Sequence, residues 1–79
     1  MISVKILGSG CKKCQRLEVK VRDLVAVNRI EATVEKVTDI QEMVRYGIMM
    51  TPGLIINEKV KSFGIIPEDD QIINWLKEN

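Results

Sequence analysis

The chain contains 79 residues, of which 46% are hydrophobic and 29% charged, and its 12 basic and 11 acidic side chains leave a net charge of +1. This composition excludes an intrinsically disordered chain, and with no evident basic stripe and few aromatic residues it does not support nucleic-acid binding. The length predicts a single domain covering residues 1–79, and the apolar runs are too short to cross a membrane.

The first half of the chain predicts a β-α-β unit. Apolar and polar residues alternate over residues 2–6, which is typical of a strand, and this segment ends in a turn at Gly8. From Lys12 to about Val27, apolar residues recur at i, i+4, i+7 and i+8, which is one face of a helix. Residues 32–37 form a second predicted strand, so the two strands should be parallel and joined by a right-handed crossover.

A short second helix is predicted after the second strand. Asp39 is followed three residues later by Glu42, the spacing of a capping box, and Gly47 is a suitable C-terminal stop. The predicted apolar stripe of this helix consists of Ile40, Met43 and Val44.

The last third of the chain predicts a β-hairpin followed by a helix. Residues 54–56 and 60–63 are two short strands, and Asn57-Glu58 supplies the turn between them. Pro67 suits the first position of a final helix, with acidic residues 68–70 at its positive end. The complete predicted order is therefore β-α-β-α-β-β-α, an α/β arrangement.

Both cysteines of the chain lie at the predicted start of the first helix, in the segment GSGCKKC. Cys14 precedes Leu17 by three residues and so extends the apolar face of this helix. Cys11 lies one turn earlier, at the N-cap or just outside it, where its side chain can stay exposed. Side chains at i and i+3 are about 5 to 6 Å apart, close enough for a disulfide, so we expect one accessible and one covered sulfur.

Unequal sulfurs suit thiol–disulfide exchange, in which one thiolate attacks a substrate disulfide and a second thiol releases the product. The free N–H groups of the helix start, the helix dipole, Lys12 and Lys13 should all lower the pKa of the Cys11 thiol. Gly8 and Gly10 allow a sharp turn from strand to helix and leave this sulfur uncovered. The candidate catalytic residues are therefore the two cysteines, with both lysines and Gly10 as thiolate-tuning residues.

Three features together resemble the small redox-active disulfide proteins of the thioredoxin-like family, which are about the size of glutaredoxins. They are the pattern GxGCxxC after a first strand, the order of the elements, and the TPG of residues 51–53. The resemblance implies a thioredoxin-like fold, in which a four-stranded mixed sheet is flanked by helices. It also implies a protein-disulfide oxidoreductase of the electron-carrier type, which uses no cofactor and no metal.

The same resemblance implies how substrates bind and which partners are used. In thioredoxin-fold proteins a cis proline precedes the third strand and lies against the cysteine pair, and Thr51-Pro52 occupies that position here. The backbone of Thr51 is then the expected docking edge for substrate. The implied partners are a disulfide-containing client protein and either a reductase or a low-molecular-weight thiol.

Several positions depart from the family pattern. The pair is CKKC, rather than the CGPC of thioredoxins, and Gly10 replaces the tryptophan that thioredoxins place before the first cysteine. Lys5 occupies the position of a buried aspartate, so a carboxylate proton shuttle for the second thiol is not expected there. The segment SFGIIPEDD lacks the glycine pair and aspartate of many glutaredoxins, and glutathione use is therefore not supported.

Two other functions are compatible with the cysteine pair. A soft-metal carrier could bind Cu(I) through two thiolates, but ferredoxin-like copper carriers follow the order β-α-β-β-α-β. The second is a redox-inert interaction module. Met49 and Met50 are interpreted as loop and core residues rather than metal ligands. The N-terminal segment lacks the pattern of a signal peptide, so we expect a cytoplasmic location. We also expect the protein to be a monomer.

Overall fold

The computed structural model describes residues 1–78, and within them the elements follow the predicted β-α-β-α-β-β-α order. The predicted strand and helix boundaries are reproduced to within about two residues. The elements are β1 (Ile2–Leu7), α1 (Lys12–Val27), β2 (Ala32–Val37), α2 (Ile40–Arg45), β3 (Gly53–Ile56), β4 (Lys59–Phe63) and α3 (Asp69–Lys77). In this part of the chain no helix combines the length and the apolar content needed to span a bilayer.

The four strands form one mixed sheet in the order β2-β1-β3-β4. β1 and β2 are parallel, as a β-α-β unit requires, whereas β3 runs antiparallel to both β1 and β4. The predicted α/β fold with a four-stranded mixed sheet is confirmed. Because β1 and β2 are parallel, their C-terminal ends lie at the same edge of the sheet, and β3 begins at that edge opposite the end of β1.

One face of the sheet carries the larger core cluster and is covered by α1 and α3. Alternation along β1 directs Val4 and Ile6 to this face, where the apolar stripe of α1 meets them. The buried members of the cluster are Val4, Ile6, Leu17, Val21, Leu54, Ile56, Ile72 and Leu76. This stripe fixes the rotation of α1 about its axis, so the face that carries Cys14 is turned toward the sheet.

The opposite face is covered by α2 and the segment after it. Of the predicted apolar stripe of α2, only Met43 is buried, while Ile40 and Val44 are 71% and 72% exposed. The predicted apolar stripe therefore contributes one residue to the core rather than three. The six residues of α2 make less than two turns, so only one of its side chains reaches the cluster, and Ile48 after the helix supplies the next apolar contact.

The two ends of α2 are stabilised in different ways. Asp39 is the N-cap, as expected, and its carboxylate accepts a hydrogen bond from the backbone N–H of Gln41 at 2.9 Å. The reciprocal half of a capping box is missing, because Glu42 instead forms an ion pair with Arg45 at 2.8 Å. Gly47 follows the helix with a φ of +72°, a conformation that glycine adopts without strain, and so ends it as predicted.

α3 begins two residues later than the sequence suggested. Pro67 was expected at the first helical position, but the helix starts at Asp69 and Glu68 is its N-cap. The side chain of Gln71 accepts a hydrogen bond from the backbone N–H of Glu68 at 3.4 Å, as in a capping box. Pro67 is buried before the helix, and its carbonyl accepts a hydrogen bond from Lys20 at 2.9 Å, which ties α3 to α1.

A polar cluster links the hairpin turn to the face covered by α2. Lys5 donates hydrogen bonds to the Tyr46 hydroxyl and to the Glu58 carboxylate, both at 3.2 Å. Tyr46 donates to Glu58, and Arg45 donates to the Tyr46 hydroxyl at 2.9 Å. The hydrogen bond from Tyr46, and then that from Lys5, lowers the pKa of the Glu58 carboxyl.

We expect this cluster to make stability depend on pH. A carboxyl with a lowered pKa in the folded state stabilises the fold above its unfolded pKa, and this contribution is lost as the pH falls through the lowered value. Glu58→Gln should therefore lower Tm at neutral pH, and the difference from the unsubstituted protein should shrink as the pH falls below 4.5. Thermal unfolding from pH 7 to pH 3 measures this, with Glu31→Gln as control, since Glu31 is exposed and forms no ion pair within residues 1–78. A difference that is constant with pH would contradict the prediction.

Candidate active site

Cys11 and Cys14 form a disulfide at the N-terminus of α1, with their Cα atoms 5.1 Å apart. Cys11 is the N-cap residue, and its Sγ accepts a hydrogen bond from the backbone N–H of Cys14 at 3.3 Å. Cys11 is exposed, whereas Cys14 is only 3% exposed. The unequal accessibility that the helix pattern predicted is therefore present.

Two glycines shape the connection from β1 to α1. Gly10 has a φ of +91°, which only glycine adopts readily, and it turns the chain into the helix. Gly8 is needed for space. A Cβ atom at this position would overlap Cys14 Sγ, and it would lie 3.0 Å from Cys14 Cβ and 3.7 Å from Thr51 Cβ. Gly8 therefore marks the point where the end of β1, the buried cysteine and the loop before β3 meet.

The loop before β3 carries the second predicted part of the site. The Thr51–Pro52 peptide bond is cis, and Pro52 is buried. The carbonyl of Pro52 accepts a hydrogen bond from the Gly64 N–H at 2.9 Å, which fixes this loop to the segment after β4. Thr51 is half-buried, and within residues 1–78 its own backbone N–H and carbonyl have no hydrogen-bond partner.

The structure separates the two lysines between the cysteines. Lys12 is exposed and forms no ion pair with another described residue. Lys13 donates a hydrogen bond to the Gly64 carbonyl at 3.3 Å. Its ammonium group thus connects α1 to the segment after β4, whose Gly64 N–H also binds the Pro52 carbonyl. Of the two, Lys12 is thus the one without a fixed protein partner.

Sequence reasoning missed a third cation beside the site, Lys36. Its Nζ lies 4.0 Å from the position that a Cβ atom at Gly10 would occupy, directly before Cys11. Lys36 is opposite Ile6 in the parallel β1–β2 pair. The parallel pairing was itself predicted, and it was the signal that could have identified Lys36, since the ends of both strands share one edge of the sheet.

Position 5 contributes no carboxylate to the site. The Lys5 ammonium is bound by Glu58, which follows β3, whereas the cysteines lie near the residues that begin β3. Lys5 therefore extends toward the opposite end of the strand from Cys14, and its pKa is raised by the hydrogen bonds to Tyr46 and Glu58.

Apolar side chains are exposed in the segments that flank Pro52. Met49 is 92% exposed and Met50 61% exposed, so both are loop residues, as interpreted, but neither belongs to the core. A Cβ atom at Gly64 would lie 3.1 Å from Met50 Cβ, which puts Met50 against the segment that binds Pro52. Phe63 and Ile65, on either side of Gly64, are each about half exposed. We refer to Met49, Met50, Phe63 and Ile65 as the apolar rim.

Comparisons of sequence agree on one family. A family model described as a thioredoxin domain matches residues 2–77. A thioredoxin from Methanothermobacter thermautotrophicus is 31% identical over 72 residues, which cover 91% of this chain and 94% of that protein. A thioredoxin from Methanocaldococcus jannaschii is 32% identical over 77 residues, which cover 98% of this chain and 88% of that protein.

Solved structures show the same fold at lower identity. The germline-specific thioredoxin Deadhead from Drosophila melanogaster has a TM-score of 0.71 at 16% identity, and the match covers 98% of this chain and 79% of that chain. A mutant thioredoxin from Halobacterium salinarum has a TM-score of 0.75 at 18% identity, covering 98% and 73% of the two chains.

Proposed function

Because this chain belongs to the thioredoxin family and is a thiol–disulfide oxidoreductase, we propose that Cys11 is its nucleophile and Cys14 its resolving thiol. The observation that carries this assignment is their unequal exposure, since an incoming disulfide can reach Cys11 but not Cys14. The element order supports the same chemistry, because α2 after β2 and the final helix distinguish this chain from ferredoxin-like copper carriers.

The proposed reaction has two displacement steps. The Cys11 thiolate attacks one sulfur of the substrate disulfide, so a mixed disulfide forms and the first substrate thiolate leaves. The Cys14 thiolate then attacks Cys11 Sγ, which closes the Cys11–Cys14 disulfide and releases the second substrate thiolate. The substrate disulfide gains two electrons, and the Cys11–Cys14 pair loses two. The two substrate thiolates take up two protons, which equal those lost by the two cysteine thiols.

The thiolate of Cys11 is stabilised by the start of α1. The N-cap position directs backbone N–H groups at its sulfur, as the 3.3 Å contact with the Cys14 N–H illustrates. The helix dipole acts in the same direction. Lys12, Lys13 and Lys36 add positive charge nearby, although Lys13 is bound to Gly64. The Gly64 carbonyl does not neutralise Lys13, but the hydrogen bond fixes its ammonium group there, so it is less free to approach Cys11 Sγ. We therefore propose that Lys12 and Lys36 lower the pKa of the Cys11 thiol more than Lys13 does.

This ranking can be tested by thiolate titration. Lys12→Gln and Lys36→Gln should each raise the pKa of Cys11 by up to about 0.5 at low ionic strength, because exposed charges several ångströms away act through water. Lys13→Gln should have a smaller effect. Thiolate absorbance of the reduced protein measures the shift, and Lys77→Gln, in the last turn of α3, is the control of equal charge. A larger shift for Lys13→Gln than for the other two would contradict the ranking.

Substrate docking is proposed at Thr51. Its backbone N–H and carbonyl, which have no hydrogen-bond partner among residues 1–78, can bind an extended substrate segment as an added strand, while buried Pro52 offers no competing donor. The apolar rim lies in the flanking segments and can cover the substrate residues next to the reacting cysteine. Docking of this kind uses the substrate backbone, so it accepts client proteins of different sequence.

Thioredoxins act on disulfide substrates together with a reductase. We propose that a dithiol reductase, rather than glutathione, reduces this protein. We further propose that the protein acts in the cytoplasm and as a monomer. A reversible dithiol couple is typical of reducing compartments. The oxidised protein should be reduced by a thioredoxin reductase and NADPH, and much more slowly by glutathione with glutathione reductase. NADPH consumption measures both. Equal or faster reduction by glutathione would overturn the choice of reductant, and failure to reduce insulin disulfides would overturn the assigned reaction.

A further inference from the structure

A shallow groove of about 640 Å³ runs along α1, starting next to the disulfide. Its basic residues Lys12, Arg16 and Lys20 recur every four positions and therefore follow one side of the helix. Its apolar contribution comes from Val19, which is 59% exposed, and from half-buried Leu24. We refer to this surface as the α1 groove.

Charge is distributed unevenly along the α1 groove. At the far end Lys20 forms an ion pair with Asp69 at 2.9 Å, and Asp23 adds a further carboxylate. At the end next to the disulfide, Lys12 and Arg16 form no ion pair with any residue of the described chain, 1–78. In a protein with a net charge of only +1, this uncompensated positive charge is local to the reactive end of the groove.

We propose that the α1 groove binds an acidic, extended segment of the partner protein whose disulfide reacts with Cys11. This inference rests on the proposed function, since it extends the same site. The distance from Lys12 to Lys20 along the helix is about 12 Å, the length of about four extended residues. Complementarity requires the acidic residues of the partner to lie near its reactive cysteine, opposite Lys12 and Arg16. Partner residues farther from that cysteine contact the far end of the groove, where Lys20 is paired with Asp69.

The groove differs in purpose from Thr51 docking. Strand addition at Thr51 uses the substrate backbone and tolerates many sequences, whereas the α1 groove selects by side-chain charge. Electrostatic selection acts mainly on the association rate and is weakened by salt. The two surfaces together would allow general exchange with a preference for partners that carry acidic residues beside the cysteine.

The test compares three peptides that each contain one cysteine, blocked as a mixed disulfide with 2-mercaptoethanol. The residues beside the cysteine are acidic, neutral or basic, and the measured quantity is the second-order rate of reaction with the reduced protein. At about 20 mM salt the acidic peptide should react about tenfold faster than the neutral one, and at about 500 mM salt the ratio should approach one. Arg16→Glu should reduce the low-salt ratio at least fivefold.

Arg22→Glu is the control, because Arg22 lies on another side of α1, is paired with Glu18 at 3.0 Å and produces the same change in net charge. Equal loss of the ratio in both variants would reveal a general charge effect and overturn the groove. The neutral peptide separates the two proposals: if it does not react, the proposed function fails, and if all three peptides react equally, only the groove fails. An acidic peptide with serine in place of cysteine should perturb the amide resonances of residues 12–20, and perturbation confined to other elements would also overturn the groove.

Discussion

Cys14→Ser should accumulate a stable mixed disulfide between Cys11 and a substrate protein, whereas Cys11→Ser should accumulate none. The reason is the geometry of the pair. Cys11 is exposed at the N-cap, and Cys14 is 3% exposed beneath it, so only Cys11 can be reached by an incoming disulfide. Without the resolving thiol, the second displacement cannot occur and the intermediate persists. Both variants should lose turnover by at least about 100-fold, because the two thiols act as a unit and removing either one stops the complete reaction.

The trapped species can be measured directly after acid quenching, by mass spectrometry of the covalent complex with reduced and alkylated controls. The double variant Cys11→Ser/Cys14→Ser defines the background. An independent measurement is the order of alkylation, since iodoacetamide at neutral pH should modify Cys11 of the reduced protein first. Faster modification of Cys14, or a complex trapped by Cys11→Ser, would reverse the assignment of nucleophile and resolving thiol.

The site was predictable where it depends on helical periodicity. Leu17 and Val21 define the buried face of α1, and extending that face by one turn puts Cys14 under cover and leaves Cys11 exposed. The parallel pairing of β1 with β2 was predictable for a related reason, because a change of period from strand to helix and back identifies a β-α-β unit. These features follow from local patterns with a fixed period, and a period can be read without knowledge of distant contacts.

Features that depend on what a side chain meets in three dimensions were not predictable in the same way. Ile40 and Val44 have the spacing of a buried stripe, but α2 is too short to bring them to the sheet. Lys13 has the same sequence environment as Lys12, yet it is bound by the Gly64 carbonyl, 51 residues away. The α1 groove was missed as well. No basic stripe was recognised in the sequence, although Lys12, Arg16 and Lys20 recur every four positions, and the lack of an ion pair for Arg16 within residues 1–78 depends on tertiary structure.

Gly8 illustrates how a residue of the turn can control the site without taking part in the chemistry. The sequence predicted a turn glycine that leaves the Cys11 sulfur uncovered, and the structure adds a steric role toward the other cysteine, since a methyl group here would overlap Cys14 Sγ and make ordinary contact with Thr51. The neighbouring atoms belong to a buried side chain at a helix start and to the docking loop. The buried Cys14 sulfur cannot move away without displacing the start of α1, whereas Thr51 is at ordinary contact distance.

Gly8→Ala should therefore lower both stability and the exchange rate. Overpacking a buried position costs about 1 to 3 kcal/mol, and each kcal/mol lowers Tm by roughly 4 to 8 °C for a chain of this size. Exchange should slow by at least about tenfold, because a small displacement of Cys14 relative to Thr51 misaligns the reacting sulfurs. Insulin reduction measured well below Tm, with circular dichroism as a check on folding, tests the second effect.

Gly47→Ala provides the matched control for Gly8→Ala. Gly47 has a φ of +72°, so alanine there is strained by about 1 kcal/mol, but a Cβ atom would meet nothing within 4 Å and the residue lies outside the site. The stability of the Gly47→Ala variant should fall to a comparable degree while disulfide exchange continues at the normal rate.

A double-substitution cycle isolates the steric cause even if the Gly8→Ala variant folds poorly. In reduced protein that carries Cys14→Ala, the overlapping sulfur is absent and only the Cβ contact at 3.0 Å remains, so Gly8→Ala should cost less stability there than in the unsubstituted chain. If the two costs are equal, or if Gly8→Ala exchanges disulfides at the normal rate, then the close approach of Gly8 to Cys14 does not govern the site.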